Sequence, residues 1–454
     1  FVLYDNYLYF GSSKRALSQV IYQNVLHKTL VNETGFSDMN DYLSSKSNVT
    51  LFLRPYPYLE WKQDRLTDAF MKLTGILEEP LRKTAGLLVQ HVSEGEMFYS
   101  HLTLKYTSQI REKAMTVWES LLDTVASIKP VLVENHYTSE KEILVQDKAN
   151  HLYLVNSTGR VLWKLPMEEK VRGEVYQVDY YENGKLQYLF NTRSDLHLID
   201  RNGNYVERYP IPLRADATNP MALFDYDNRG EYRIFLACDD RKVYVYDLEG
   251  NLVTGWKFQG TEGTVQKPVQ HFRVDGKDYI VFSDQIRPYI LNRRGRERVK
   301  PERMFPVSER NIFYLDMNMK EDRPRLVVTD TSGNVHAIDF EGHIERILER
   351  DATSGHFFRM QDMDHDGLPD FVFADGDALE VIDQDGEKLM TYRIKSDIMM
   401  MPDIYQFSSS DLKVGITDQQ RNLIYLINAD GTLYEGFPLE GSTRFSIVNF
   451  AGSD

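Results

Sequence analysis

The chain has 454 residues, 42% apolar and 27% charged, with a formal charge of −15; that length admits two or three domains, or one large repeat array with a smaller companion. So large an acidic surplus argues against a nucleic-acid binder, which needs cations to displace the counterions around phosphates, and the basic run "RRGRERVK" (293 to 300) reads as a solvated turn. One cysteine, Cys238, excludes an internal disulfide, and no apolar run of about 18 residues is present to span a membrane.

From its first residues the chain alternates like a strand, "FVLYDNYLYFG", so no signal peptide opens it, and any targeting or anchoring segment is expected upstream of Phe1. A Ser cap and an amphipathic helix carrying Leu17, Val20, Ile21 and Val25 on one side follow. "FSDMNDYLSS" predicts a short helix, "NVTLFLRPY" a strand and "YLEWKQDRLTDAFMKL" a second long helix. "AGLLVQHVSEGEMFYSHLTLKY" predicts a hairpin turning at "SEGE". Residues 1–114 are thus expected to form an α+β domain lacking its own beginning.

Beyond residue 115 one motif returns seven times, an alternating apolar strand followed by Asn or Asp, two residues and Gly. The copies are "HLYLVNSTG", "DLHLIDRNG", "KVYVYDLEG", "RPYILNRRG", "NVHAIDFEG", "ALEVIDQDG" and "LIYLINADG". Their glycines, from Gly159 to Gly431, are spaced by 44, 47, 45, 47, 44 and 45 residues. Each copy has the chemistry of a hairpin turn, with Asn or Asp capping backbone amides and Gly supplying positive φ. Two apolar runs precede each copy, such as "NIFYLDM" and "RLVVTD", and a fourth follows, such as "RVLWKL" or "LVTGWKF". Four antiparallel strands per roughly 45 residues is the pattern of a β-propeller blade.

The fold class is therefore mainly β, with a propeller over 115–454. At one end of the ring "TVWESLLD" (116 to 123) looks like an outer strand, with Trp118 in the place of Trp163. At the other, "TRFSIVNFAGSD" looks like an inner strand. The expectation is seven complete blades plus a composite closing blade, eight in all, with the middle strands of the last beyond Asp454.

Through "GRVLWKL" and "NLVTGWKF" the repeats resemble the eight-bladed propellers of pyrroloquinoline-quinone (PQQ)-dependent dehydrogenases and of the BamB family. The whole chain resembles bacterial envelope proteins that join such a propeller to an N-terminal domain of unknown function, as at "YLYFGSSKRAL". The resemblance implies an extracytoplasmic location and supplies no reaction.

"QDMDHDGLPDFVF" (361 to 373) fits D-x-D-x-D-G-x-x-D, the pattern of FG-GAP and integrin-type propeller loops. Oxygens of Asp362, Asp364, Asp366 and Asp370 and the carbonyl of Leu368 can converge because Gly367 permits a sharp turn, and all-oxygen ligands favour calcium over zinc. An EF-hand does not fit, because Phe373 stands where the bidentate Glu would be. Degraded versions in other blades, "DYYENGKL" from Asp179, "DYDNRGEY" from Asp225 and "DMNMKEDR" from Asp316, make this an architectural loop. One structural calcium ion is expected.

The remaining candidates read as structural. "DQDG" (383 to 386) is one copy of the repeated turn. His151, His197 and His336 fall on strands and His365 in a solvated slot, while Cys238 lies in an apolar run as a buried thiol. "DGDALE" (375 to 380) offers carboxylates only as turns do. No nucleophile, metalloprotease or phosphate-loop motif is found. A quinone cofactor is disfavoured, since the calcium loop sits in a hairpin and the vicinal cysteine pair frequent in quinoproteins cannot form. The reading is a non-catalytic extracytoplasmic scaffold for a protein or glycan partner, with no nucleic acid. The alternative is an envelope enzyme acting on a glycan or peptide in the propeller channel.

Overall fold

The computed structural model describes residues 118–447 except 318–322 and 409–410, and before them chiefly five strands with a few isolated residues. The chain divides into two compact units, 1–119 and 120–454. Among the described residues no helix is long and apolar enough to cross a membrane.

In the first unit Val2–Tyr4 pairs with Tyr7–Tyr9, and Val49–Leu53, Thr84–Glu94 and Met97–Tyr106 form a three-stranded antiparallel sheet. The strand and hairpin expected at 49–53 and 84–106 are present. The first long helix is described only at Leu17, which is helical, and the second long helix and most of the short one fall outside the described residues. Pleating decides the sheet's two faces. Leu88, Gln90 and Val92 turn to a buried side, where Met39 is also fully buried and Phe36 meets Phe52 edge-on at 5.2 Å. Register places Leu51, Val89 and Leu102 in line on the opposite side, with Leu53, Leu87 and Leu104 beside them. Leu102 is 65% and Leu104 62% exposed, and Val49 and Leu51 are also exposed.

The second unit is a β-propeller whose sheets hydrogen-bond strictly in chain order. Seven blades occupy 131–166, 172–212, 222–246, 270–299, 314–348, 357–393 and 403–440. Alternate side chains of each sheet face the previous and the next blade, so the middle strands, such as Gln187–Asn191 and Asp370–Asp375, are buried almost throughout. The seven motif glycines all have positive φ, between +72° and +103°. Close approach fixes them as well: a Cβ on Gly203 would meet the Trp163 ring of the preceding blade at 3.0 Å, and one on Gly342 the Lys300 carbonyl oxygen at 2.3 Å.

Blade 3 departs from the expected four strands. "LVTGWKF" contributes only a bridge between Leu252 and Tyr246, because the chain turns away at Gly255 (φ +102°) and Trp256 donates its indole N–H to the Val243 carbonyl at 2.7 Å. The expected closing blade forms no sheet among the described residues. Residues 118–123 and 443–447 carry no strand, and 116–117 and 448–454 lie outside the described residues. Both runs nevertheless seat beside blade 1. The Ser120 hydroxyl donates to the Gly159 carbonyl, and Ser446 donates to the Pro130 carbonyl at 2.8 Å. Phe445 stacks on Tyr405 of blade 7.

Candidate functional site

Each inner strand runs along the central channel and ends at a loop leading to the second strand of its blade. In blade 2 Val178 pairs with Gln187, and in blade 6 Gln361 pairs with Asp370. The two loops are therefore in register residue by residue. The Tyr180 amide donates to Gln187 Oε1 at 2.7 Å, just as the Met363 amide donates to Asp370 Oδ2 at 2.8 Å.

The first aspartate shows how the loops differ. Asp179 accepts from the amides of Asn183 (3.0 Å) and Gly184 (2.6 Å), and Asp225 in blade 3 accepts from Arg229 (3.1 Å) and Gly230 (2.7 Å). Both oxygens are satisfied, and the loop closes on itself. Asp362 accepts only from the Gly367 amide, at 3.1 Å. The Asp366 amide, which would complete the pattern, donates instead to Asp364 at 3.1 Å. Asp362 Oδ1 is consequently buried with no partner.

Asp362, Asp364 and Asp370 bring one oxygen each within 4.8 Å of the others. Asp370 is buried, and burial, reinforced by the nearby charges of Asp364 and Asp366, pushes its carboxyl up to about 6. Asp366 stays outside the converging trio, accepting the Leu368 amide at 2.7 Å. Gly367 has φ +89° and open space around it, while the exposed His365 is also in the left-handed region at +65°. A buried carboxylate oxygen without a donor, beside two further carboxylates, fits a hard cation and nothing apolar.

"DMNMKEDR" lies mostly outside the described residues. Its flank pairs Asp316 with Arg325, so Met317, not Asp316, stands in the place of Asp362. A guanidinium at the position of Asp370, 2.8 Å from Asp316, replaces the cation-binding arrangement with an ion pair.

The structure groups two further sets of acids with a histidine, and neither was singled out from sequence. Asp147 accepts from the amides of Ala149 and His151 and from the Tyr153 hydroxyl, while Asp123 pairs with Lys164. Asp339 accepts from the amides of Glu341, Gly342 and His343. These carboxylates close turns. The same holds at "DQDG", where Asp383 accepts from the amides of Asp385 and Glu387, and at "DGDALE", where Glu380 is paired with Arg350 and Lys388.

Cys238 takes the place that Asp147, Asp284, Asp330 and Asp418 hold at the turn after the second strand. Buried there, its thiol is pushed up to about 12, which leaves it protonated and inert at neutral pH. His197 is also buried, stacked on Phe190 and bonded to Thr192 and Tyr205, and burial pushes its ring down to about 4.

No family model matches the chain, and no curated protein matches it. Among solved structures, BamB from Moraxella catarrhalis is similar at 14% identity over 72% of this chain and 90% of that one, with a TM-score of 0.46. BBS1N in complex with ARL6DN is similar at 9% identity over 65% and 91%, also with a TM-score of 0.46. The dihydro-heme d1 dehydrogenase NirN is similar at 13% identity over 70% and 68%, with a TM-score of 0.44.

Proposed function

We propose that the protein is a non-catalytic, extracytoplasmic scaffold that binds a protein partner through its first unit, carried on a propeller stiffened by one calcium ion. The observation that carries this reading is the apolar side of the three-stranded sheet. Val49, Leu51, Leu102 and Leu104 stand exposed on it, flanked by the exposed Tyr106, and Met97 and Phe98 are 71% and 70% exposed at the hairpin end. Contiguous apolar surface of this kind marks an interaction site. Aliphatic side chains on several neighbouring strands suit a polypeptide better than a sugar, which would want aromatic platforms ringed by hydrogen-bonding groups. Met97–Tyr106 is also the edge of the sheet among the described residues, so a partner strand could extend it.

Calcium would be held by Asp362, Asp364 and Asp370, with Asp366 and the Leu368 carbonyl completing the shell. Bound there it would clamp the first two strands of blade 6 and supply no chemistry. The extracytoplasmic setting rests on the resemblance of the chain to envelope proteins, the FG-GAP-like nature of the loop on its D-x-D-x-D-G-x-x-D pattern, and the joining of a propeller to a domain of unknown function on "YLYFGSSKRAL". The experiment is affinity capture with cross-linking from the native envelope, comparing wild type with a Leu51→Lys, Leu102→Lys double variant. The variant should lose the captured partner while its propeller melts as before. Equal capture by both proteins would sink the proposal.

A further inference from the structure

At the channel mouth where the inner strands begin, the chain gathers cations. Lys129 and Lys170 precede blades 1 and 2, Lys267 and Arg310 precede blades 4 and 5, Arg359 lies on the inner strand of blade 6, and Arg444 follows blade 7. Three of them, Lys129, Lys170 and Arg444, line a cavity of about 520 Å³ together with Glu174 and the three methionines Met399, Met400 and Met401.

The carboxylates there do not balance them. Asp403, almost buried, accepts from Arg444 Nε at 2.8 Å and also meets Lys129 at 3.3 Å and Arg359 at 3.6 Å. Glu174 lies in the field of Arg444. Arg310 rests over the Phe357 ring at 5.1 Å. Three cationic side chains thus share the single carboxylate of Asp403, with Lys170 on the same cavity wall, in a protein whose formal charge is −15. Lys267 feels the surplus: burial, with Arg310, Arg444 and Arg359 close by, pushes its ammonium down to about 8.

We infer that this mouth binds a small molecule bearing a phosphate or polyphosphate group. Arg444 gives Nε and Nη2 to Asp403 and Arg359 gives Nε to the Pro402 carbonyl, so the lysines supply the mobile point charges for phosphate oxygens and Arg310 a planar guanidinium beside them. A cavity of this size suits a compact ligand. Its low-dielectric walls focus the positive field, and the methionines offer an adaptable apolar side for whatever carries the phosphate. This inference does not rest on the reading of the first unit's sheet.

The test is isothermal calorimetry and thermal melting with inorganic tripolyphosphate, against sodium chloride at equal ionic strength. Saturable binding and a raised melting temperature are expected with tripolyphosphate only. Lys170→Met and Lys267→Met are the variants of choice, because neither side chain holds an ion pair that the fold uses. Without ligand Lys170→Met should keep the wild-type melting temperature and Lys267→Met should match or exceed it, since a buried like charge is gone, and each should bind at least tenfold more weakly. Reductive ¹³C-methylation gives a second readout, in which the Lys267 resonance titrates near 8 in the free protein and at higher pH in the complex. An absence of heat and of any melting shift beyond the salt control would overturn the inference, as would undiminished binding by both variants. Phosphate-bearing lipid vesicles form a further arm, and binding to them but not to soluble tripolyphosphate would overturn the assignment to a free small molecule.

Discussion

Replacing Asp364 separates a metal loop from an ordinary turn. Without calcium, Asp362 Oδ1 is buried and unpartnered, and Asp370 is buried beside two like charges. An unsatisfied buried acceptor alone costs about 1–3 kcal/mol, and a cation removes both penalties at once. A ligand that binds only the folded state at a hundred times its dissociation constant adds about 2.7 kcal/mol. One kcal/mol moves the melting point by about 2–4 °C in a domain of 150–250 residues and by less in a larger one, so the propeller should gain roughly 5 °C. Differential scanning fluorimetry in chelator, then across a calcium titration, reads this directly.

Asp364→Ala should abolish the gain. In chelator the same variant should melt at or above wild type, since a like charge next to Asp370 is gone and the Asp366 amide it accepted is exposed to water. Magnesium, which wants a smaller octahedral shell, should give much less. Identical melting of wild type in chelator and in calcium would refute the reasoning. A calcium gain that survives Asp364→Ala would refute the ligand assignment alone.

Three further outcomes test the propeller. Gly342→Ala should destabilise by roughly 3 kcal/mol, since its Cβ meets a backbone carbonyl and its φ is left-handed, whereas Gly386→Ala, with its nearest neighbour 3.7 Å away, should cost about 1 kcal/mol; equal urea midpoints would contradict this. Asp284→Ala, which strands the amides of Gly263, Ile286 and Arg287 and the Tyr289 hydroxyl, should cost roughly 3 kcal/mol by chemical denaturation. His197 has a folded pKa near 4, below its unfolded value of about 6.5, so its contribution is whole above pH 6.5 and is lost as pH falls towards 4, approaching about 3 kcal/mol. His197→Phe should flatten that part of the acid limb in melting curves taken between pH 7 and 4.5, and an unchanged slope would count against it.

The blades were legible because their constraints are local and repeated. Positive φ at Gly159 or Gly431 and alternation in "LIYLIN" each follow from a few adjacent residues. The acidic loop at 362–370 was legible as a turn for the same reason, down to the positive φ at Gly367. The one-residue offset at Asp316 was not, because register is set by the pairing across to Arg325. The loss of the fourth strand in blade 3 was hidden too, since it turns on where the Trp256 indole finds an acceptor. The channel mouth was invisible: its cations are more than three hundred residues apart at the extremes and share no motif. A weak signal did exist, in the Lys or Arg that stands just before several inner strands.

Antiparallel blades give the channel a direction. Inner strands all begin at the mouth that carries Lys129, Lys170, Lys267 and Arg310, and all end at the loops that carry Asp179, Asp225 and Asp362. Like residues therefore collect at like ends, because a position repeated around a ring is also a position repeated around a rim. The loop rim concentrates carboxylates, which self-closing turns satisfy in blades 2 and 3, whereas blade 6 leaves Asp362 Oδ1 without a donor. The mouth concentrates ammonium and guanidinium groups, which Asp403 and Glu174 balance only in part. Calcium and phosphate chemistry would then sit at opposite ends of one channel, and loading one should leave the other's affinity unchanged unless the blade 6 inner strand, Phe357–Gln361, transmits a shift between Arg359 and Asp362.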